Sequence, residues 1–254
     1  MSREAQAPKN RKIPACIMKN SYSSTPKEDA GAHITAVLKE KSDVPTLLVL
    51  SGGSCAQILP HLRIEARTAP LVIAFGDERF TTTKEGNHYA QFRESDFYRE
   101  LPEENISLVP SLPLPGEDHQ SFAKRMNDAY ETFLDAYPNA YALGIFGIGE
   151  DGHTAGIFPG PEKEFLQTYR RTEEYCIPVV YLQSRYPQRI SVTPAFIEDV
   201  LDEVVLFATG TNKCENILDY MFNRSFEEYQ IPALIPASHP QSILFTDCPS
   251  LLTI

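Results

Sequence analysis

Glu150, Asp151, His153 and Thr154 stand together in the run Gly149-Glu150-Asp151-Gly152-His153-Thr154-Ala155, directly after the apolar stretch 141–148. Histidine titrates near neutrality and suits general acid–base work. A carboxylate beside it, here Asp151, can orient the ring, although close neighbours in a turn need not face each other. The glycines let the backbone turn sharply or approach a ligand. Position adds to the chemistry, because open α/β sheets bind ligands beyond the carboxyl ends of their strands. Taken alone, a histidine beside an acid is more often a surface or structural residue. Metal ligation by Glu150, Asp151 and His153 is the other chemical option, but no second histidine sits at helical ligand spacing. The expectation is a site with no metal and no organic cofactor.

Two further strand endings carry chemistry. Leu47 to Leu50 is an apolar run followed by Ser51-Gly52-Gly53-Ser54 and then by a segment of helical character, 55–62. A glycine turn leading into a helix points backbone N–H groups at an anion, and the helix start adds roughly half a positive charge. Ser51 and Ser54 can donate hydroxyl hydrogen bonds, and Ser54 can also cap the helix. The loop has neither the lysine of a nucleotide P-loop nor the dinucleotide glycine pattern, so a small phosphate ester fits it better. The second ending is Leu71 to Phe75 followed by Gly76-Asp77-Glu78-Arg79. The guanidinium fork of Arg79 suits phosphate or carboxylate, with Asp77 or Glu78 to orient it. Each triplet by itself is most often a solvated turn. Three such endings on strands of one parallel sheet converge on one edge.

In this order and spacing, Ser-Gly-Gly-Ser, Gly-Asp-Glu-Arg and Gly-Glu-Asp-Gly-His-Thr-Ala with Phe158-Pro159-Gly160 resemble the 6-phosphogluconolactonases, over about residues 29–246. Weaker echoes are Asn87, Arg189-Ile190-Ser191-Val192-Thr193, Gly210-Thr211-Asn212-Lys213 and Pro236-Ala237-Ser238. The resemblance implies hydrolysis of 6-phospho-D-glucono-1,5-lactone in the oxidative pentose phosphate pathway. It also implies a Rossmann-like α/β sheet of the sugar-phosphate isomerase type. His153 and Asp151 would then be catalytic. Ser51, Gly52, Gly53, Ser54, Asp77, Arg79, Arg189 and Lys213 would hold the substrate and its phosphate. There are departures: Cys55-Ala56 replaces a Thr-Pro pair, Phe80-Thr81-Thr82 stands where a Val-Pro pair often follows Asp-Glu-Arg, Gly156 replaces a serine, and His239-Pro240 replaces an aliphatic pair. None removes a charged group, so they bear on pocket shape. An amino-sugar 6-phosphate deaminase shares the Ser-Gly-Gly-Ser loop and a Gly-x-Asp-Gly-His block. It typically has Asp-Glu-Tyr where this chain has Asp77-Glu78-Arg79, and Ile-Ala-Phe-Asn where it has Thr154-Ala155-Gly156-Ile157, so both differences favour the lactonase. A non-catalytic sugar-phosphate sensor of the same fold is the third reading.

Bulk properties set limits. The chain has 254 residues with 23 basic and 34 acidic side chains, a net charge of −11. Such a field disfavours nucleic acid and anionic membranes, and it would also repel a sugar phosphate. A local cluster must overcome it, for which Arg79, Arg189 and Lys213 are the candidates. Five scattered cysteines (Cys16, Cys55, Cys176, Cys214, Cys248) without a Cys-x-x-Cys pair predict reduced thiols in a cytosol. No run approaches a membrane span, and the basic first twenty residues lack a signal core. The sequence leaves the oligomeric state open.

The elements that must position these residues alternate. Helices are expected at 27–41, with Ala30, Ile34, Val37 and Leu38 on one face, and at 88–101, 117–137 and 212–222. Strands are expected at 46–51, 70–75, 106–109, 141–148, 175–180, 189–193, 204–208 and 242–246, and proline-rich loops at 110–116 and 227–241. Alternation implies a mostly parallel sheet covered on both faces. Residues 1–26 are expected to be poorly ordered or loosely packed, and 27–254 to form one catalytic domain.

Overall fold

The computed structural model describes residues 18–214, 218, 221 and 226–249. The apolar runs become strands β2 (Thr46–Leu50), β3 (Leu71–Phe75), β6 (Tyr141–Gly147), β9 (Glu203–Ala208) and β10 (Ser242–Thr246). With edge strands β1 (Lys19–Tyr22) and β5 (Ile106–Leu108) they form a seven-stranded parallel sheet, ordered β1-β10-β9-β6-β2-β3-β5. Alternate residues of each strand feed separate cores. Leu47 and Val49 belong to one, Leu48 and Leu50 to the other, and Leu206 and Phe207 divide the same way. Burial on both faces is why these strands read as continuous apolar runs rather than as alternation.

Helix α1 (Pro26–Glu40) starts with proline in its first turn and buries Ala30, Ile34 and Leu38 over one face. The short helices α2 (His88–Arg93) and α3 (Asp96–Arg99) pack on the same side. Across the sheet, α4 (His119–Ala136) is capped by Asp118, which accepts from the Ser121 N–H at 2.7 Å. It buries Phe122, Met126, Tyr130 and Phe133. The Tyr130 hydroxyl donates to the Phe75 carbonyl at 2.6 Å, so a fully buried phenol is satisfied where β3 ends.

A second, antiparallel sheet lies beside the first, with order β4 (Asp77–Arg79), β8 (Gln188–Val192), β7 (Cys176–Val180). The Asp-Glu-Arg segment, read from sequence as a turn, is thus a short strand with Arg79 opposite Arg189 and Asp77 opposite Ser191. Helix α5 (Pro194–Asp199) follows β8 directly, capped by Thr193.

Several expectations change. The 55–62 segment is a 3₁₀ helix, Gly53–His61, with Pro60 inside it. Gly52 is its N-cap residue, so Ser54 does not cap it. The expected helix over 88–101 divides at Glu94 and Ser95, where Ser95 caps a new start. The 227–241 loop contains the helix Leu234–Ala237. Most of the expected 212–222 helix lies outside the described residues, beyond the turn Thr211–Lys213. Residues 19–22 are not loose but pair with β10; residues 1–17 lie outside the described set. The reduced-thiol expectation fails at Cys214 and Cys248, which form a disulfide with Cα atoms 5.3 Å apart. Cys55 and Cys176 are free and buried, and Cys16 is not described. No helix among the described residues is long and apolar enough to cross a membrane.

Candidate active site

The sheet reverses its order between β2 and β6. From β2 the chain steps outward to β3 and β5, and from β6 it steps the other way to β9 and β10. The loops leaving β2 and β6 therefore flank the crevice where doubly wound sheets bind ligands. These loops are the Ser51-Gly52-Gly53-Ser54 turn and the histidine turn.

The histidine turn closes on itself. The Gly149 N–H donates to the His153 carbonyl at 2.8 Å, and Gly152 donates to Gly149 at 3.0 Å with φ +83°. A Cβ on Gly149 would lie 2.1 Å from His153 Nδ1, so only glycine admits the ring there. Asp151 and His153 do face each other. Asp151 Oδ1 accepts the His153 backbone N–H at 3.1 Å and meets Nδ1 at 2.5 Å. With a carboxylate on Nδ1, the neutral ring carries its proton there and presents Nε2 as the base. Burial alone would raise the Asp151 carboxyl, but the hydrogen bond and charge of His153 outweigh it and hold it below the usual range. Phe158 lies 5.1 Å from the His153 ring and stacks on Tyr181 at 4.0 Å. Ala155, at φ +48°, turns the chain back so that Thr154 and Ile157 bond each other. Gly156 then meets β8: its N–H donates to Ser191 Oγ at 3.0 Å, and a Cβ would come within 2.8 Å of Ser191 Cβ. This is the physical reason for glycine at a position where the lactonases often have serine.

A pocket of about 240 Å³ opens in front of this turn. Of the ten residues expected from sequence, nine line it: Ser51, Gly52, Gly53, Ser54, Asp77, Arg79, His153, Arg189 and Lys213. Asp151 stands behind His153 and does not line it. Lys213 Nζ donates to Ser54 Oγ at 3.2 Å, joining the helical turn after β9 to the loop after β2. Burial lowers the pKa of Lys213, with Cys55 and Glu150 opposing. Arg189 is 9% exposed, and burial lowers its pKa although Asp77, 3.9 Å away, opposes the shift. Its Nη2 donates to Ser184 Oγ at 2.7 Å, and its guanidinium lies 5.3 Å from the Phe158 ring. Arg79 donates from Nη1 to the Gly86 carbonyl at 3.1 Å, while its Nε is buried without a partner. Ser51 Oγ is likewise buried and unpartnered. The pocket thus brings three cations, a run of serine and glycine, and a histidine to one place in a chain of net charge −11.

Sequence reasoning missed three residues. Glu78 was read only as a possible partner of Arg79. It is fully buried and accepts the backbone N–H groups of Arg79, His88 and Tyr89, each at 2.8 Å. Burial pushes its carboxyl up to about 8 against those three donors. Tyr181 supports the histidine turn, with its hydroxyl 3.5 Å from Asp151 Oδ2. His88 lines the pocket from α2. No motif marks the last two, since only the fold brings them near. Asn87, an echo of the lactonase pattern, works structurally: it caps α2 through the Ala90 N–H and donates to the Ser111 carbonyl at 3.1 Å.

Comparison with known proteins places this geometry. Residues 22–243 match the family model described as glucosamine-6-phosphate isomerases/6-phosphogluconolactonase. The chain is 27% identical over 218 residues to the 6-phosphogluconolactonase of Bos taurus, covering 82% of this chain and 75% of the relative. It is 28% identical over 203 residues to that of Homo sapiens, covering 76% and 74%. The fold superposes with TM-score 0.72 on a 6-phosphogluconolactonase from Plasmodium vivax at 15% identity, covering 92% of each chain. It does so with TM-score 0.69 on that of Trypanosoma brucei at 19% identity, covering 93% of this chain and 99% of the other. With the model matched from β1 to β10, the chain belongs to the glucosamine-6-phosphate isomerase/6-phosphogluconolactonase family.

Proposed function

We propose that this protein hydrolyses 6-phospho-D-glucono-1,5-lactone to 6-phospho-D-gluconate, with His153 as general base. The observation that carries the reading is the pairing of Asp151 with His153 Nδ1, in a turn whose histidine shares a pocket with Arg79, Arg189, Lys213 and the 51–54 loop. The loop and the cations hold the phosphate. His153 Nε2 takes a proton from water as the oxygen attacks the lactone carbonyl. Positive charge in the pocket stabilises the oxyanion that develops. When the ring C–O bond breaks, the imidazolium returns its proton to the departing alkoxide, and the free acid ionises to release one proton to solvent. The lactone carbonyl is already electrophilic, so this chemistry requires no metal or organic cofactor. A cytosolic setting belongs to the proposal; the Cys214–Cys248 disulfide is the feature that argues against it.

Arg79 and the Thr154-Ala155-Gly156-Ile157 turn favour this over the deaminase reading, which rests on Asp-Glu-Tyr and Ile-Ala-Phe-Asn patterns absent here. Proton release on adding freshly made lactone, measured against spontaneous hydrolysis, separates the alternatives. Release far above the spontaneous rate supports the lactonase. Ammonia from glucosamine 6-phosphate would replace it with the deaminase, and binding without turnover of either would replace it with the sensor.

A further inference from the structure

His88 is a titratable group of the pocket wall that the reaction above does not use. Its side chain is nine-tenths buried or more, at 6% residue exposure. The ring stands between the site pocket and a second, largely apolar cavity of about 340 Å³ walled by Leu50, Ile58, Phe75, Phe92 and Phe97. Its tautomer is set by its neighbour. Nδ1 lies 3.2 Å from the Asp77 carbonyl oxygen, which can only accept, so Nδ1 carries the proton. The neutral ring then turns an unprotonated Nε2 toward the other side, and that atom is buried without a partner. What it faces is the loop after β2. A Cβ on Gly52 would lie 2.1 Å from His88 Nε2, so the ring rests against the backbone of the loop itself. Ser51, whose Oγ is also buried and unpartnered, lines the same two spaces.

Charged groups face the ring from each neighbouring element. From β4 come Asp77, with Oδ2 3.8 Å from Nδ1, and Glu78, with Oε1 4.0 Å away. Arg79 and Arg189 act on it from β4 and β8. Lys213 shares the pocket, Asp96 shares the apolar cavity, and the buried Cys55 thiol on the 3₁₀ helix is pushed up to about 12 and stays neutral. Burial lowers the ring's pKa, Asp77 opposes, and the arginines add to the lowering. An empty pocket already holding three cations disfavours a fourth. A phosphate dianion on the loop reverses that balance, because an opposite charge close by favours the protonated form.

We propose that His88 is a further substrate-binding residue, neutral in the empty site and protonated at Nε2 when a phosphate dianion occupies the 51–54 loop. The proton comes from solvent on binding and returns to solvent on product release. Nδ1 keeps its bond to the Asp77 carbonyl throughout, so the ring gains a charge without changing place. The inference rests on the assignment of the phosphate to this loop. It makes phosphate binding couple to pH through a residue other than the catalytic base.

Nitrogen NMR of the histidine rings in the intact protein tests it near neutral pH, with the His88 signals assigned by their loss in His88→Gln. Sulfate, dianionic throughout the neutral range, and 6-phosphogluconate are the probes. The free protein should show the neutral Nδ1–H pattern at His88, and saturation with either probe should convert it to imidazolium with uptake of a proton from buffer. Proton uptake should disappear in His88→Gln and in His88→Phe, and KM for the lactone should rise about tenfold with a much smaller change in kcat. If the Gly52 and Gly53 amides shift on saturation while His88 stays neutral, the phosphate assignment stands and the His88 proposal falls. If neither the amides nor the ring respond to 6-phosphogluconate, both fall.

Discussion

Arg79 is the residue through which phosphate recognition can be read most cleanly. Its Nη1 is tied to the Gly86 carbonyl while its Nε is buried and unpartnered, so the fork is held in place with donor capacity left over. Losing a charge-assisted bond to phosphate costs about 1.5–3 kcal/mol. Arg79→Ala should therefore weaken 6-phosphogluconate binding by roughly ten- to a hundredfold and leave the weaker binding of gluconate nearly unaltered, as titration calorimetry would show. Equal losses for both ligands would remove Arg79 from the phosphate site. At this scale the sequence was legible where a residue sits in a short motif, as His153, Ser54 and Arg79 do. It was not legible at His88 or Tyr181. Neither belongs to a motif, and each reaches the site because an element far away in sequence packs against the loops.

Between residues and fold, the elements explain how loose-looking turns become rigid. The histidine turn is clasped by Gly149, by Ala155 in the left-handed region, and by Gly156 against Ser191 of β8. Gly156→Ser would drive a Cβ to 2.8 Å from Ser191 Cβ and 3.2 Å from the Ile190 carbonyl, which is backbone and cannot yield easily. Overpacking of this kind costs about 1–3 kcal/mol. The variant should melt lower and, because the strain falls on the turn holding His153, lose kcat as well. Unchanged melting and turnover would show that β8 does not clasp the turn. Strands and long helices were legible from apolar runs and periodicity, as β2, β6 and α4 show. Two devices were hidden. β4 is too short and too polar to announce itself, because its pairing with β8 comes from tertiary contact. The segment after Gly52 carries a helical pattern, yet it adopts 3₁₀ geometry over Gly53–His61 with Pro60 inside it, a distinction that apolar spacing does not encode.

The whole molecule joins two stepwise runs of strands at a switch point between β2 and β6, and concentrates cations there against a net charge of −11. That topology was legible only as a class: alternation predicts a parallel sheet, but strand order is set by long-range pairing. Since the proposed chemistry uses a histidine-activated water, dialysis against a strong chelator should leave turnover unaltered. Activity lost with chelator and restored by one divalent ion would instead make Glu150, Asp151 and His153 candidate ligands. The central claim is that His153, oriented by Asp151, activates the water. Removing a positioned acid–base group typically costs about 10²–10⁴ in rate. The direct measurement is proton release from fresh 6-phospho-lactone by wild type and His153→Ala, with 6-phosphogluconate affinity measured on both. The account predicts kcat lower by that factor with product affinity nearly retained; near wild-type kcat in His153→Ala would contradict it.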